Sequence, residues 1–161
     1  MMIPINFTDL EQSSRAVQRA IATRLATQKF NRAYTRSWLS RFWSILTQRS
    51  SQILSLQKVK TAVSIRNRHY EGVRTVQLDR IRGSENRATD FDVHFNPLQR
   101  HDKQRWVNIA VAMLLDCGLP PVELIQIGET YFVRDGHHRI SAARALGQKE
   151  IDAVVTTWDV N

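Results

Sequence analysis

Residues 131–155 read Tyr131-Phe132-Val133-Arg134-Asp135-Gly136-His137-His138-Arg139-Ile140-Ser141-Ala142-Ala143-Arg144-Ala145-Leu146-Gly147-Gln148-Lys149-Glu150-Ile151-Asp152-Ala153-Val154-Val155. Thr130–Val133 reads as a strand, and five polar residues and one glycine, Arg134–Arg139, follow it. An alanine-rich helix then runs through Leu146, with Gly147 as its stop. Ile151–Thr157 makes a last strand. Just upstream, Val122–Ile127 pairs with Thr130–Val133 across the two-residue turn Gly128-Glu129, a hairpin signature. Helix and strand signals mixed in this way predict an α+β fold with a small mixed sheet.

The polar run Asp135–Arg139 carries the chemistry. A strand, a glycine turn and a helix start form an anion site, because the first helical amides lack partners and the dipole favours negative charge. Gly136 lets the chain turn and a phosphate approach. Arg139 can add a forked contact to phosphate oxygens. His137 and His138 can donate hydrogen bonds or titrate near neutral pH. Asp135 fits a bound divalent cation such as Mg2+, or an orienting role. The plainer alternative is that Asp135 caps the helix and the histidines only pack at its start. Asp135 with the two histidines also has metal-ligand chemistry, but adjacent helical side chains diverge, which disfavours one ion shared by both rings.

Upstream, Val73–Leu78 alternates with period two and predicts a strand. Ile81–Arg87 has turn chemistry around Gly83-Ser84. A helix is expected from near Asp102 to Asp116, with Trp106, Ile109, Ala110, Met113 and Leu114 inward and Gly118 as its stop. Between these elements lie the carboxylates Glu85, Asp90 and Asp92, and Arg87. One carboxylate could act as a base and Arg87 could neutralise phosphate charge. Alternatively, Phe91 and Phe95 anchor the loop and the carboxylates cap it.

Charge divides the chain. The net charge is +8, with +10 in residues 1–80 and −2 in residues 81–161. No acidic residue lies between Glu11 and Glu71, against 12 Lys or Arg. Residues 1–72 therefore read as a basic, mainly helical arm and 73–161 as the core. Thr8 to Glu11 matches a capping box. Steps of four at Val17, Ile21 and Leu25, then Tyr34, Trp38, Phe42 and Leu46, predict one apolar face. A break is expected at Gln48–Ser51. Ile53, Leu56, Val59 and Val63 predict a second amphipathic helix. The arm's Arg15, Arg19, Arg24, Arg32, Arg36 and Arg41 suit nucleic-acid phosphates. Trp38, Phe42 and Trp43 beside Arg36 and Arg41 suit an anionic lipid surface. Packing on the chain's own core or on a partner is the third reading.

A lone Cys117 excludes a disulfide framework and a cysteine-rich zinc module. No run of about 18 apolar residues predicts a spanning helix. Met1–Phe7 lacks the layout of a secretory signal. The expectation is a cytoplasmic protein in a reducing compartment.

The segment Tyr131–Val155 resembles the core motif of the ParB/sulfiredoxin-like fold: strand, Gly-x-x-Arg loop, alanine-rich helix and final strand. Leu119-Pro120-Pro121-Val122 resembles the segment which that family places before the loop. Gly83-Ser84, Arg87 and Asp90-Phe91-Asp92 look like segments of small bacterial ParB-domain proteins. The layout covers residues 73–161. The resemblance implies that Gly136, His137, His138 and Arg139 bind nucleotide phosphates, with CTP, ATP or ADP as ligand. ParB proteins couple CTP to DNA clamping. No helix-turn-helix follows the core in this sequence, so DNA contact is expected from the arm. Sulfiredoxins carry a catalytic Cys where His137 stands, so sulfinic-acid reduction is disfavoured. Free-serine kinases of this fold use a similar Asp-Gly-His-His-Arg loop with an upstream carboxylate as base. That implies a small-molecule phosphotransferase, or less directly a ParB-like nuclease, as the alternative to a binding module. In that alternative Asp135, His137, Glu85 and Asp90 are the catalytic candidates.

Overall fold

The computed structural model describes residues 7–47 and 53–161. Elements follow in the order α1 (Phe7–Thr47), β1 (Leu54–Ser55), α2 (Leu56–Ala62), β2 (Ile65–Gln77), β3 (Ile81–Ser84), α3 (Lys103–Leu114), β4 (Val122–Ile127), β5 (Thr130–Asp135), α4 (His137–Leu146) and β6 (Glu150–Val160). The six strands form one mixed sheet, ordered β1-β3-β5-β4-β6-β2. The α+β expectation is met. β4 and β5 form the hairpin, with Leu124 opposite Val133. β3 runs parallel to β5 and β4 parallel to β6, so α3 and α4 serve as crossovers.

Alternation along the strands assigns the two faces. Leu124, Val133, Ala153 and Val155 pack with Ile140 and Ala143 of α4. Ile125, Phe132 and Trp158 face the other way, under Leu56 of α2. A second cluster sits outside α4. There Ala22, Ala26 and Phe30 of α1 meet Trp106, Val107, Ala110 and Val111 of α3 and Ala142 of α4. The Trp106 ring is fully buried. It meets Phe30 edge-on at 5.5 Å and donates from Nε1 to Ser141 Oγ at 2.8 Å.

Several expectations are corrected here. The face of α1 that docks is Ala22, Ala26, Phe30, Ala33 and Ser37, not the stripe at Val17, Ile21 and Leu25. Small side chains let α1 approach α3 closely, while Ile21 and Trp38 are each 63% exposed. β2 begins at Ile65, eight residues before the expected strand start at Val73. Ile81–Ser84 is strand β3 rather than a turn. Gly83 is there because a Cβ would stand 2.1 Å from Cδ1 of the Phe132 ring. The second amphipathic helix is the seven-residue α2, with Ile53 and Val63 outside it. α3 buries Trp106, Val107, Ala110 and Val111, whereas Leu114 is exposed. Asp116, at φ 51°, makes the left-handed turn after α3. The expected break at Gln48–Ser51, the Thr8 cap and the side chains of Arg41, Trp43 and Leu46 lie outside the described residues. Among the described residues no helix is long and apolar enough to cross a membrane.

Candidate functional site

β5 is a central strand, and its last residue, Asp135, delivers the chain to Gly136 at φ 94°. That left-handed position suits glycine. Van der Waals crowding demands it as well: a Cβ would meet Val122 Cγ1 at 2.5 Å. α4 starts at once, with Ile140 N–H donating to Gly136 O at 3.0 Å. The amides of His137, His138 and Arg139 therefore have no acceptor within the helix. No side chain caps them, so the capping role for Asp135 is not what the chain uses. Asp135 instead accepts from Arg139 Nη2 at 2.7 Å.

A cavity of about 240 Å³ opens over this helix start. Asn86, Arg87, Arg105, Ile109 and Arg134–Arg139 line it. Four of these are arginines, against the single carboxylate of Asp135. Arg87 is tethered: Nε donates to Asp90 Oδ2 at 2.7 Å and Nη2 to Asp102 Oδ2 at 3.1 Å. Arg134 Nε donates to Glu85 Oε2 at 3.2 Å. Arg139 Nη1 donates to the carbonyls of Pro120 and Pro121, so much of its fork is already engaged. Arg105 is exposed and has no ion-pair partner among the described residues.

The histidines are buried, 4% and 3% exposed. His137 Nε2 lies 2.7 Å from Ser84 Oγ, and its ring stacks on Phe91 at 5.9 Å. His138 Nε2 lies 3.3 Å from Arg87 Nη1 and 3.5 Å from Asp102 Oδ2. A guanidinium only donates, so Nε2 accepts from it and Nδ1 carries the proton. That Nδ1 is buried and has no partner.

Burial lowers both rings to a pKa of about 4; the Arg87 charge adds to this for His137, while Asp102 opposes it for His138. Titration near neutral pH, one of the two roles read from the sequence, gives way to neutral rings. The unfolded rings take up protons near pH 6.5 and the folded ones only near 4. The stability that the neutral rings contribute is complete above pH 6.5 and declines as pH falls towards 4. Chemical denaturation at pH 5 should show roughly 2–4 kcal/mol less stability than at pH 7.5. Equal midpoints at the two pH values would contradict this environment.

The other candidates separate into two groups. Asp135, Gly136, His137, His138, Arg139 and Arg87 all line the cavity. Glu85 and Asp90 do not. Glu85 bridges Lys60 and Arg134, and Asp90 holds Arg87. Asp92 is wholly buried and accepts from His94 N, Asn96 N and Asn96 Nδ2, which fixes its own loop. Sequence reasoning missed Ser84, Asp102, Arg105 and Arg134 as parts of the site. Arg134 adjoins the motif and could have been read from it. The others come from β3 and α3, and only the fold brings them near. Among the described residues no three His, Cys, Asp or Glu side chains group as a metal site. Asp135 is the carboxylate that lines the cavity.

No family model matches the chain and no curated protein matches it. Among solved structures it is similar to sulfiredoxin from Arabidopsis thaliana. The TM-score is 0.42 and the identity 18%, over 54% of this chain and 86% of that one. Cys117 follows α3 and is exposed; it does not line the cavity at α4.

Proposed function

We propose that this chain is a ParB/sulfiredoxin-like nucleotide-binding module that holds the phosphates of a nucleoside di- or triphosphate at the start of α4. The observation that carries the reading is the arginine-lined cavity at the start of α4, where three helical amides have no acceptor within the helix. Phosphate oxygens accept from such amides and from guanidinium groups. A cavity of about 240 Å³ suits phosphates better than a whole nucleotide. The base and ribose would lie outside it, which favours modest discrimination among CTP, ATP and ADP.

Isothermal titration of the full chain with CTP, ATP and ADP, each with and without Mg2+, tests the reading. Binding should weaken about tenfold in Arg105→Ala, which loses one phosphate-facing charge without breaking an ion pair. Absence of heat for every nucleotide, with the protein folded, would remove the reading. Affinity should also stay level between pH 6.5 and 8, because the rings are neutral throughout that range.

A second reading, phosphoryl transfer to a small hydroxyl compound, draws on one observation. The Asp135 carboxylate lines the cavity and is 64% exposed. It could orient an incoming hydroxyl. Turnover that disappears in Asp135→Asn would favour this reading. Nuclease action would need a metal and would stop with chelator. The cytoplasmic setting belongs to the same proposal.

A further inference from the structure

A second cavity, of about 670 Å³, lies away from the start of α4. It is a trough between α1, the loop 92–96 and the far end of α4. Lys29, Arg32 and Arg36 form one wall and Arg144 and His94 stand across from them. None of the three α1 cations has an ion-pair partner among the described residues.

The single carboxylate in the lining, Asp92, is buried and accepts three hydrogen bonds from its own loop. Arg144 is only partly satisfied. Nη2 donates to the Leu78 and Ile81 carbonyls, and its buried Nε has no partner. Burial lowers the pKa of this guanidinium, and the charges of Asp79 and Asp92 offset that only in part. The α4 C-terminus contributes about half a negative charge, small against four cations.

We infer that this trough binds the phosphate backbone of a nucleic acid. Positions 29, 32 and 36 share one side of α1, separated along its axis by about 4.5 and 6 Å. A single phosphate would meet one or two of these cations, whereas a repeating polyanion meets the whole row. The trough is concave, and a flat bilayer cannot enter it. Trp38 and Phe42, the residues a lipid surface would need, stack on each other at 6.4 Å on the exposed side of α1. At 100° per residue Trp38 lies about 200° from Arg36, away from the trough.

The test uses the full chain and labelled 20-base-pair duplex DNA, with a single strand of the same sequence in parallel. Fluorescence anisotropy is followed across a salt series. Arg32→Gln with Arg36→Gln should weaken binding roughly 10- to 100-fold and flatten the log–log salt slope by about two. Arg24→Gln with Arg66→Gln removes the same charge outside the trough and should change affinity less than about threefold. Nucleotide heats should be the same in the trough variant as in the parent chain, so this inference and the nucleotide reading fail separately. Equal losses in the two double variants would overturn it. So would no DNA binding at low salt, or binding only to vesicles of anionic lipid.

Discussion

Gly136→Ala should lower the thermal midpoint by roughly 5–10 °C and remove the phosphate binding proposed at the start of α4. Two costs combine at this position. The left-handed conformation at φ 94° penalises any L side chain by about 1–2 kcal/mol. The new Cβ would also press on Val122, with Cβ–Cγ1 and Cβ–Cβ separations of 2.5 and 2.8 Å. Overpacking of this kind costs about 1–3 kcal/mol. Together about 3 kcal/mol is at stake, and in a chain of this size each kcal/mol moves the midpoint by about 2–4 °C. Gly147→Ala separates the two causes. Its φ is 86° but no atom lies within 4 Å of the added carbon, so only the conformational cost applies. Calorimetric unfolding should therefore rank the parent above Gly147→Ala and both above Gly136→Ala. If the two variants unfold together, crowding against Val122 plays no part.

Phe30→Ala carries the other large effect. Phe30 is 1% exposed and is the largest buried side chain that α1 contributes. It meets Trp106 edge-on and stacks with Tyr34 at 6.1 Å. Aromatic truncation in a core costs about 3–5 kcal/mol. The remaining buried residues of α1 are Ala22, Ala26, Ala33 and Ser37, with Tyr34 packed beside them, too little apolar area to compensate. The expected result is a midpoint about 10 °C lower, with α1 released before the sheet. Helical circular dichroism and Trp106 fluorescence would follow the release, since the Trp106 edge becomes wet. Trough-dependent DNA binding should weaken in the same variant, because Lys29, Arg32 and Arg36 face Arg144 only while α1 is docked. Unaltered stability would mean that α1 contributes little to the fold.

Much of the fold could be read from residues 122–157, and the reason is local. Gly128-Glu129 and Gly147 mark the hairpin turn and the helix end through their own backbone needs, and the strands between them alternate cleanly. Ile65–Glu71 hid its strand because β2 is an edge strand, exposed along most of its length. Arg66, Asn67, Arg68 and His69 show no alternation when neither face is well buried. Gly83-Ser84 has turn chemistry in the sequence, which does not show that the Phe132 ring lies over Gly83. On α1 the larger apolar residues Ile21 and Leu25 face solvent, while the neighbouring Ala22 and Ala26 pack. The site followed the same logic. The strand, glycine turn and helix start at Asp135–Arg139 are legible from the chain alone. The neutrality of the two histidines is not, because it comes from burial against Phe91 and from the Arg87 charge.

The link from Ser84 to His137 joins residues 53 positions apart, and Arg87 reaches His138 across 51. Such long closures mature late, since loop entropy must be overcome before they form. A fragment starting beyond β3 lacks Ser84, and one starting beyond Arg87 lacks both residues that hold the two rings. An anion bound there as proposed would, by mass action, protect the whole chain against global unfolding.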